Sequence, residues 1–543
     1  MKMTVSEVLV RYLKQAGVRY IFGVSGHSIF DLTDAIYVEP DIDFVPGQIE
    51  ISAAYMANAY SRATRRLGVC LASAGAGATN LVTGVAQAYK ESCPVLAISS
   101  DVDSKLAGKG ASSWHEVPQE DLFRPITKRS LTLRRPDDIL ELLTEALREA
   151  TSPRTGPVYV GIPRDFQIEE VEVPNPPWDI PDVTIPAASP DLIRRGAEAL
   201  AAASAPTLIL GGGVHWANAA GEAQRLAERL QAPFGTSPSH KGLVSEEHPL
   251  ALGVLGFGAF PFANAVCQES DVVLAVGTTL SEALTLGYGD RVIPAGARLI
   301  HVDLDPTEIG KSYQPHLGIV GDAKEVLTDL LTHLPERPNS AAAARAQRIA
   351  GEKAAWGAEL TRRGSSTEGP INQWHIFNAL SEAMPPDTMV VVEGGTGEAY
   401  ARLVGRAPVF GGGDFRPIGH GIATAIGVKH GFPSTPVACV SGDGAFMMEM
   451  QELATATRTG WPFVFLVVHN GAYGNMKRDQ IRHYGGRVIG TELNVPDLCT
   501  LGSAFGAHVE RIEQPAHLVD AISTAFSANK TALLDVVCPI EGI

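Results

Sequence analysis

The 543-residue sequence predicts an α/β protein of three domains, each built on a mainly parallel sheet flanked by helices. The first observation is alternation: short β-branched runs such as RYIFGV, LGVCLAS and PVLAISS are separated by Ala-rich helical stretches, a pattern typical of parallel sheets with both faces covered. The second is a pair of breaks, at 171–190 with six prolines and at 334–370 with polar loop residues. They predict domains at 1–170, 190–335 and 365–543.

The elements of each domain follow in chain order. An amphipathic helix opens the first domain, and the strand in GPVYVGIPRDFQ closes it. Strands of the second domain are predicted in APTLILGGGV, ESDVVLAVGTTL and ARLIHVDLDP, and those of the third in DTMVVVEGGTG, TPVACVSGDG and WPFVFLVVHN. These strands end in glycines or acids at the carboxyl edge, where open parallel sheets bind ligands.

Charge and composition exclude several classes of partner. The net charge of −16 argues against nucleic acid and anionic membranes, since both require a basic surface. No apolar run approaches the length of a membrane span, and the N-terminal helix does not resemble a signal peptide. The six cysteines form no CxxC pair and lie mostly in apolar runs, which predicts buried thiols in a cytoplasmic protein.

The most informative segment is VACVSGDGAFMMEMQELATATRTGWPFVFLVVHNGAYG. It predicts a strand ending at Gly442-Asp443-Gly444, an amphipathic helix opening near Ala445, and a second strand ending at Asn470. Because the crossover makes the two strands parallel, Asp443 and Asn470 are expected at the same edge of the sheet. A carboxylate and an amide oxygen there suit Mg²⁺ shared with a phosphate, and helix N–H groups suit the phosphate itself. The alternative is a pair of ordinary βα turns with solvated side chains.

This motif resembles the signature of thiamine-diphosphate-dependent enzymes, and the likeness extends over nearly the whole chain, most closely to the acetolactate synthase-like branch. The resemblance implies pyrimidine-binding, central and diphosphate-binding domains. It implies that Asp443, Asn470 and the main-chain oxygen of Ala472 hold Mg²⁺. It also implies that Tyr473 and Gly474, the next residues in the chain, belong to the cofactor-binding segment. Family members often carry two adjacent asparagines, whereas this chain has His469 before Asn470.

The segment FVPGQIEISAAYMANAYSRAT resembles the family segment that carries the catalytic glutamate, which maps to Glu50. The resemblance implies that this carboxylate hydrogen-bonds a ring nitrogen of the aminopyrimidine and favours its imino tautomer. In isolation, a Glu at a helix N-terminus is usually only a favourable partner of the helix dipole. Gln48 and Ile49 depart from the family pattern, as does Ala76 in a loop that retains Asn80.

Further matches complete the implied cofactor site. Ile418, in RPIGHGIATAIG, resembles the aliphatic residue that wedges between the two cofactor rings, and Gly395 and Thr396 resemble the loop over the cofactor. Many of the 55 glycines lie at strand ends, Gly26 among them, where the backbone opens around the cofactor. Either segment alone would be an ordinary core strand or turn.

Two histidines are candidates for handling the substrate. His27 lies in the loop GVSGHSIFD, and His115 falls where acetolactate synthases carry an active-site glutamine. Imidazole can donate a hydrogen bond to a developing alkoxide or relay a proton near neutral pH. The alternative is a surface or core histidine without a catalytic part.

The central domain argues against FAD. Its LILGGGVHW turn has Trp216 where a dinucleotide fingerprint requires its third glycine, and the Arg-Phe-Asp-Asp-Arg stretch of flavin-carrying relatives is replaced by GTTLSEALTLGYGDR. A structural role for this domain is the expectation.

The predicted function is thiamine-diphosphate- and Mg²⁺-dependent cleavage or formation of a carbon–carbon bond on a 2-oxo acid or related carbonyl donor, which covers decarboxylase, lyase, carboligase and transferase outcomes. Alternatives are a sulfoacetaldehyde acetyltransferase-like enzyme, a benzoylformate- or pyruvate-type decarboxylase, an aldehyde lyase, and a non-catalytic cofactor-binding homologue. The resemblance also implies a homodimer or homotetramer with active sites between subunits, acting on small carbonyl substrates.

Overall fold

The computed structural model describes residues 1–183, 185, 187–336, 338–394 and 409–540. The chain forms two compact units: the first comprises Met1–Thr184, Phe415–Ser434 and Met448–Trp461, and the second comprises the remaining residues. Three six-stranded parallel sheets and one two-stranded antiparallel ribbon account for the strands of the described residues. The predicted α/β class with three parallel sheets is confirmed.

The first unit contains a parallel sheet in the order β3-β2-β4-β5-β7-β6 and a ribbon of β1 with β8. Thr4 caps α1 in a capping box with Glu7, which fixes the start of the predicted amphipathic helix. The strands of the sheet are mostly buried, since helices cover both faces. The elements are β1 (Lys2–Thr4), α1 (Val5–Gln15), β2 (Tyr20–Gly23), α2 (Phe30–Tyr37), β3 (Asp43–Pro46), α3 (Glu50–Thr64), β4 (Gly68–Ala72), α4 (Ala76–Asn80), α5 (Val82–Glu91), β5 (Val95–Asp101), α6 (Gln119–Phe123), β6 (Arg129–Thr132), α7 (Ile139–Thr151), β7 (Val158–Pro163) and β8 (Glu170–Glu172).

One sheet of the second unit lies in the predicted central domain, with the strand order β11-β10-β9-β12-β13-β14. Its core consists of Leu, Val, Ile and Ala side chains from the strands and from the helices beside them. The elements are α8 (Pro190–Ala202), β9 (Pro206–Leu210), α9 (Gly212–Trp216), α10 (Ala220–Leu230), β10 (Phe234–Thr236), β11 (Ala251–Val254), α11 (Pro261–Gln268), β12 (Val272–Val276), α12 (Glu282–Thr285), β13 (Arg298–Asp303), β14 (Leu317–Val320), α13 (Ala323–His333) and α14 (Ser340–Arg363).

The other sheet of the second unit has the order β16-β15-β17-β18-β20-β19. The elements of this part of the chain are α15 (Gln373–Ala383), β15 (Met389–Val392), β16 (Val409–Phe410), α16 (Gly421–Gly431), β17 (Val437–Gly442), α17 (Asp443–Glu449), α18 (Leu453–Arg458), β18 (Val464–His469), α19 (Gly474–His483), α20 (Leu498–Ala504), β19 (His508–Ile512), α21 (Leu518–Ser527) and β20 (Ala532–Val537). Of these, α16 and α18 belong to the first unit.

The helix predicted after Gly444 is not continuous. It is α17, a 3-10 turn over Met450–Glu452, and then α18. At Glu449 the backbone leaves the helical region, with φ of −134°, and the buried carboxylates of Glu449 and Glu452 accept N–H groups from other segments of the first unit. Apolar spacing alone predicted one helix, because it carries no information on these polar contacts.

Candidate active site

Asp443 and Asn470 follow two adjacent strands, as the spacing predicted. Strands β17 and β18 pair in parallel with Gly442 opposite Val468, so both side chains emerge at one edge of the sheet. The Asp443 carboxylate accepts the main-chain N–H of Asn470 at 2.9 Å and that of Gly471 at 2.6 Å on one oxygen. Its other oxygen accepts the Gly444 N–H at 2.8 Å. The carboxylate is therefore fixed by main-chain groups on both sides.

Asp443 is only 1% exposed and, within the described part of the chain, forms no ion pair with a Lys, Arg or His. Burial raises the pKa of the Asp443 carboxyl, and the three main-chain hydrogen bonds partly oppose this rise. A buried carboxylate that lacks a cationic side chain has a negative charge for a metal ion to balance. This observation fits a cation at the edge of the sheet.

The residues after Asn470 complete a set of oxygen donors. The Asn470 side-chain oxygen accepts the Ala472 N–H at 3.0 Å, which turns the chain so that Ala472 lies beside the amide. Main-chain hydrogen bonds from Tyr473 N–H to Thr491 O and from Leu493 N–H to Gly471 O hold this turn, both at 2.8 Å. Carboxylate, amide and main-chain oxygens are the donors that Mg²⁺ takes in proteins, so the residues present fit that ion.

Gly442 and Gly444, both at this edge, differ in the space around their backbones. A Cβ on Gly442 would meet no atom within 4 Å, so the strand end is open there. A Cβ on Gly444 would lie 2.6 Å from the Tyr473 ring, so that ring packs directly against the Gly444 backbone. Ala445 is buried in α17, and Gly474 begins α19. The edge thus combines an open approach at Gly442 with a tightly packed turn beside it.

His469, which departs from the family pattern, is held from behind. Its Nδ1 lies 2.8 Å from a carboxylate oxygen of the buried Asp535, and Arg511 Nε donates to the other oxygen at 2.8 Å. These side chains join β18, β20 and β19 across the sheet. Where family members often carry an asparagine, His469 thus joins a hydrogen-bond network with Asp535 and Arg511 that anchors the strand end next to Asn470.

Glu50 is the first residue of α3. Its carboxylate accepts the side-chain N–H of Asn80, the last residue of α4, at 2.9 Å. A Cβ on Gly77 would lie 3.2 Å from the other carboxylate oxygen, so the small residue leaves room for the Glu50 carboxylate near α4. The predicted glutamate and the retained asparagine are thus in direct contact.

The segment from Ser73 to Asn80 also contacts both histidine-bearing loops. Ala74 N–H donates to the Ser28 hydroxyl at 3.0 Å, in the turn that carries His27. A Cβ on Gly26 would lie 2.8 Å from the Ser73 Cβ, so Gly26 permits this close packing. On the other side, the Ala74 carbonyl lies 3.4 Å from His115 Nδ1.

His115 lies in a strained part of the chain. It has a positive φ of 63°, and a Cβ on Gly75 would lie 2.6 Å from its carbonyl oxygen. His115 lines a cavity of about 440 Å³ together with Gly75, Ala76 and Trp114. His27 is exposed, with its ring 5.0 Å from that of Phe30.

Comparisons with known proteins give the same assignment in three parts of the chain. Residues 3–122 match "Thiamine pyrophosphate enzyme, N-terminal TPP binding domain", residues 193–330 match the central domain of that family, and residues 399–536 match its C-terminal TPP binding domain. The chain belongs to the thiamine pyrophosphate enzyme family. Thiamine pyrophosphate is the thiamine diphosphate of the sequence prediction, so the predicted family and cofactor are confirmed.

Three relatives cover nearly the whole chain. A probable acetolactate synthase large subunit from Methanocaldococcus jannaschii is 32% identical over 99% of this chain and 92% of the relative. The acetolactate synthase of Mycobacterium bovis is 32% identical over 97% of this chain and 87% of the relative. The sulfoacetaldehyde acetyltransferase of Rhodobacter capsulatus is 31% identical over 98% and 94%. The chain is an acetolactate synthase-like, thiamine-diphosphate-dependent enzyme, as predicted.

Three residues predicted to bind the cofactor take no part in the contacts described above. Gly395 and Thr396 lie outside the described residues. Ile418 is 43% exposed and precedes α16; a Cβ on the next residue, Gly419, would lie 2.7 Å from Met448 Cβ. No helix among the described residues is long and apolar enough to cross a bilayer.

Three buried polar residues that hold the segments around the candidate site were not predicted from the sequence. Gln119 is buried, accepts the Gly75 N–H at 2.6 Å, and donates to the Ser100 carbonyl at 3.0 Å, which fixes the segment that ends at Asn80. Glu449 and Glu452 likewise hold other segments. A polar residue inside an apolar helical pattern was the available signal for the two glutamates, and Gln119 carried no such signal.

Proposed function

We propose that this protein is a Mg²⁺- and thiamine-diphosphate-dependent enzyme that decarboxylates a 2-oxo acid and joins the product to a second carbonyl compound, as an acetolactate synthase does. The contact of Glu50 with Asn80 carries the proposal, since a cofactor-binding homologue without catalysis has no chemical need for that carboxylate. Whole-chain similarity to acetolactate synthases supports the reaction class.

In this proposal the two carboxylate sites have separate tasks. Asp443, Asn470 and the Ala472 carbonyl hold Mg²⁺, which would balance the buried Asp443 charge. Thiamine diphosphate, when bound, supplies the electron sink that accepts the electrons of the broken carbon–carbon bond. Glu50 holds a proton at its carboxylate for the cofactor ring nitrogen, and Asn80 orients that carboxylate.

Substrate handling belongs to the loops packed on the Ser73–Asn80 segment. We infer that His27 and His115 bind and orient the carbonyl oxygen of the substrate, with Ile418, Gly395 and Thr396 as further cofactor contacts. Proximity of both histidine loops to the segment that ends at Asn80 supports this assignment. FAD is not part of the proposal, and a yellow purified protein would contradict that exclusion.

Assembly and location complete the proposal. We infer a cytoplasmic homodimer or homotetramer with active sites between subunits. The six cysteines all lie among the described residues and form no disulfide, and five of them are buried, which supports a reducing compartment. Size-exclusion chromatography with light scattering gives the oligomeric state, and a monomeric active enzyme would contradict the inference.

Acetyl phosphate formation from sulfoacetaldehyde is the second candidate, because a relative of that name aligns over 98% of this chain. Three incubations of the enzyme with thiamine diphosphate and Mg²⁺ separate the outcomes: pyruvate alone, pyruvate with phosphate, and sulfoacetaldehyde with phosphate. A hydroxy keto acid formed from two pyruvate molecules supports the proposal, and free acetaldehyde supports a simple decarboxylase. Acetyl phosphate formed from sulfoacetaldehyde supports the second candidate. No turnover of either donor, or of aromatic 2-oxo acids, by a protein that binds the cofactor would contradict the enzymatic proposal.

A further inference from the structure

The start of α3, where Glu50 lies, has no local cap. The N-cap residue is Ile49, whose side chain makes no capping hydrogen bond. Helix starts leave N–H groups without partners inside the helix, and an aliphatic side chain cannot accept from them. Another group must therefore hold the backbone that leads into Glu50.

That group is Glu452, which lies 404 positions after Gln48 in the chain. Its side chain is fully buried, at 0% exposure, and one carboxylate oxygen accepts the Gln48 N–H at 2.9 Å. The other oxygen accepts the Thr455 hydroxyl hydrogen at 2.7 Å, and the Thr455 hydroxyl accepts from the Gln48 side chain at 3.3 Å. Both the main chain and the side chain of Gln48 are thus fixed two residues before Glu50.

The charge of Glu452 is not used in an ion pair. In the described ranges no Lys or Arg pairs with it, and burial raises the pKa of its carboxyl, with the Thr455 and Gln48 hydrogen bonds opposing the rise. A buried carboxylate without a cation is costly, so hydrophobic packing alone gives no reason to place one here. Its surroundings do supply a reason: it faces the positive end of the α3 dipole.

Glu449, three residues earlier, repeats the arrangement on a second helix. Its carboxylate accepts the Ile422 N–H at 2.7 Å and the Ala423 N–H at 3.2 Å, in the first turn of α16. Helices α16 and α3 pack against each other within the first unit. The turn from Glu449 to Glu452 therefore fixes the starts of two packed helices.

We propose that Glu452 is a positioning residue for Glu50: by holding Gln48 it sets the start of α3 and so the place of the Glu50 carboxylate. This inference rests on the function proposed for Glu50. Glu452 acts through the backbone and touches neither cofactor nor substrate in this scheme.

The test compares E452A and E452Q with E50Q, and uses E91Q as a matched control. Glu91 is also a buried glutamate of the first unit, but it bonds to Asn58 and Arg62 in the later turns of α3 and not to the start of that helix. Three readouts apply: amide hydrogen exchange at residues 48–52 of the cofactor-free protein, the dissociation constant of thiamine diphosphate, and the rate of deuterium exchange at the reactive thiazolium carbon of the bound cofactor.

Loss of a hydrogen bond to a charged group predicts that E452A slows carbon exchange by about 10- to 100-fold, and that E452Q, which keeps one acceptor oxygen, slows it by about 3- to 10-fold. The dissociation constant of thiamine diphosphate should change by less than about threefold, because the residues proposed to bind the cofactor are unchanged in these variants. Amide exchange at Gln48 should accelerate in both variants. E91Q should change none of these readouts.

Carbon exchange within twofold of the wild type in E452Q would overturn the positioning role, whether or not E452A folds. That outcome leaves the proposed function standing if E50Q abolishes carbon exchange. Wild-type carbon exchange in E50Q would instead contradict the function of Glu50, and with it the basis of this inference.

Discussion

Asp443 and Glu50 are both carboxylates close to the carboxyl edge of a parallel sheet, yet their surroundings differ. Three main-chain N–H groups fix Asp443, which is almost fully buried. Glu50 is only partly buried, and among the described residues its side chain bonds to the Asn80 side chain. Three main-chain donors hold both oxygens of the Asp443 carboxylate in one orientation, whereas the Asn80 side chain bonds to one oxygen of Glu50.

The contrast matches the two proposed tasks. A metal ligand benefits from a rigid carboxylate, while a group that transfers a proton must have an oxygen that can accept and release one. The support of each carboxylate differs in the same way. Asp443 is held by residues near it in the sheet, whereas Gln48, two residues before Glu50, is held by Glu452 from a distant segment of the chain.

The largest expected effect is loss of the Asp443 carboxylate, which is proposed to hold Mg²⁺. Changes behind metal ligands cost about 10- to 100-fold in affinity, so D443A should weaken joint binding of Mg²⁺ and thiamine diphosphate by more than about 100-fold and remove turnover. Isothermal titration calorimetry measures this. D520N, which changes an exposed acid in the first turn of α21, is the control and should bind normally. Normal binding by D443A would break the comparison.

Next in size is E50Q. Because positioned acid–base groups contribute about 10²- to 10⁴-fold, turnover should fall by that factor while cofactor affinity changes little. The matched control is E141Q, since the exposed Glu141 lies in the first turn of α7 as the partly buried Glu50 lies in that of α3. Steady-state turnover and cofactor titration are measured together. Equal losses of affinity and turnover would place Glu50 among binding groups instead.

A smaller effect is expected for the partner of Glu50. N80A removes one hydrogen bond to a charged group, which predicts a decrease in turnover of about 10- to 100-fold. N80D should decrease it further, because two carboxylates would repel each other at 2.9 Å. If both variants kept wild-type turnover, Asn80 would have no part in orienting Glu50.

The smallest effect concerns stability. Burial raises the folded-state pKa of Glu452 above its ordinary value of 4.5. At pH values between 4.5 and the raised folded-state pKa, Glu452 has lost its proton in the unfolded chain but keeps it in the folded chain. The free energy of unfolding of the wild type therefore falls as pH rises over this interval, by up to about 1.4 kcal/mol per pH unit. The melting temperature of E452Q relative to wild type should therefore increase from pH 4 to pH 8. Parallel melting curves over that range would contradict the sign.

Local rules predicted that Asp443 and Asn470 lie at one edge of the sheet, but not how the segment before Glu50 is held. A βαβ unit forces Asp443 and Asn470 to one edge, so their spacing in the sequence was sufficient. Glu50 and Asn80 were assigned by family resemblance, and their 2.9 Å contact required the structure. Nothing in the spacing of Gln48 and Glu452 indicates their hydrogen bond, because it depends on packing between segments remote in sequence. The predicted domain bounds and site roles stay predictions.

The composition of the first unit has a consequence for protein engineering. It includes residues 415–434 and 448–461, which interrupt the chain of the second unit. A chimaera that took only residues 1–184 from a relative would combine its α3 with a foreign Glu449–Glu452 turn and a foreign α16. Transplanting the N-terminal region therefore means transplanting three separate stretches of the gene, and substitutions in them are expected to be inherited together.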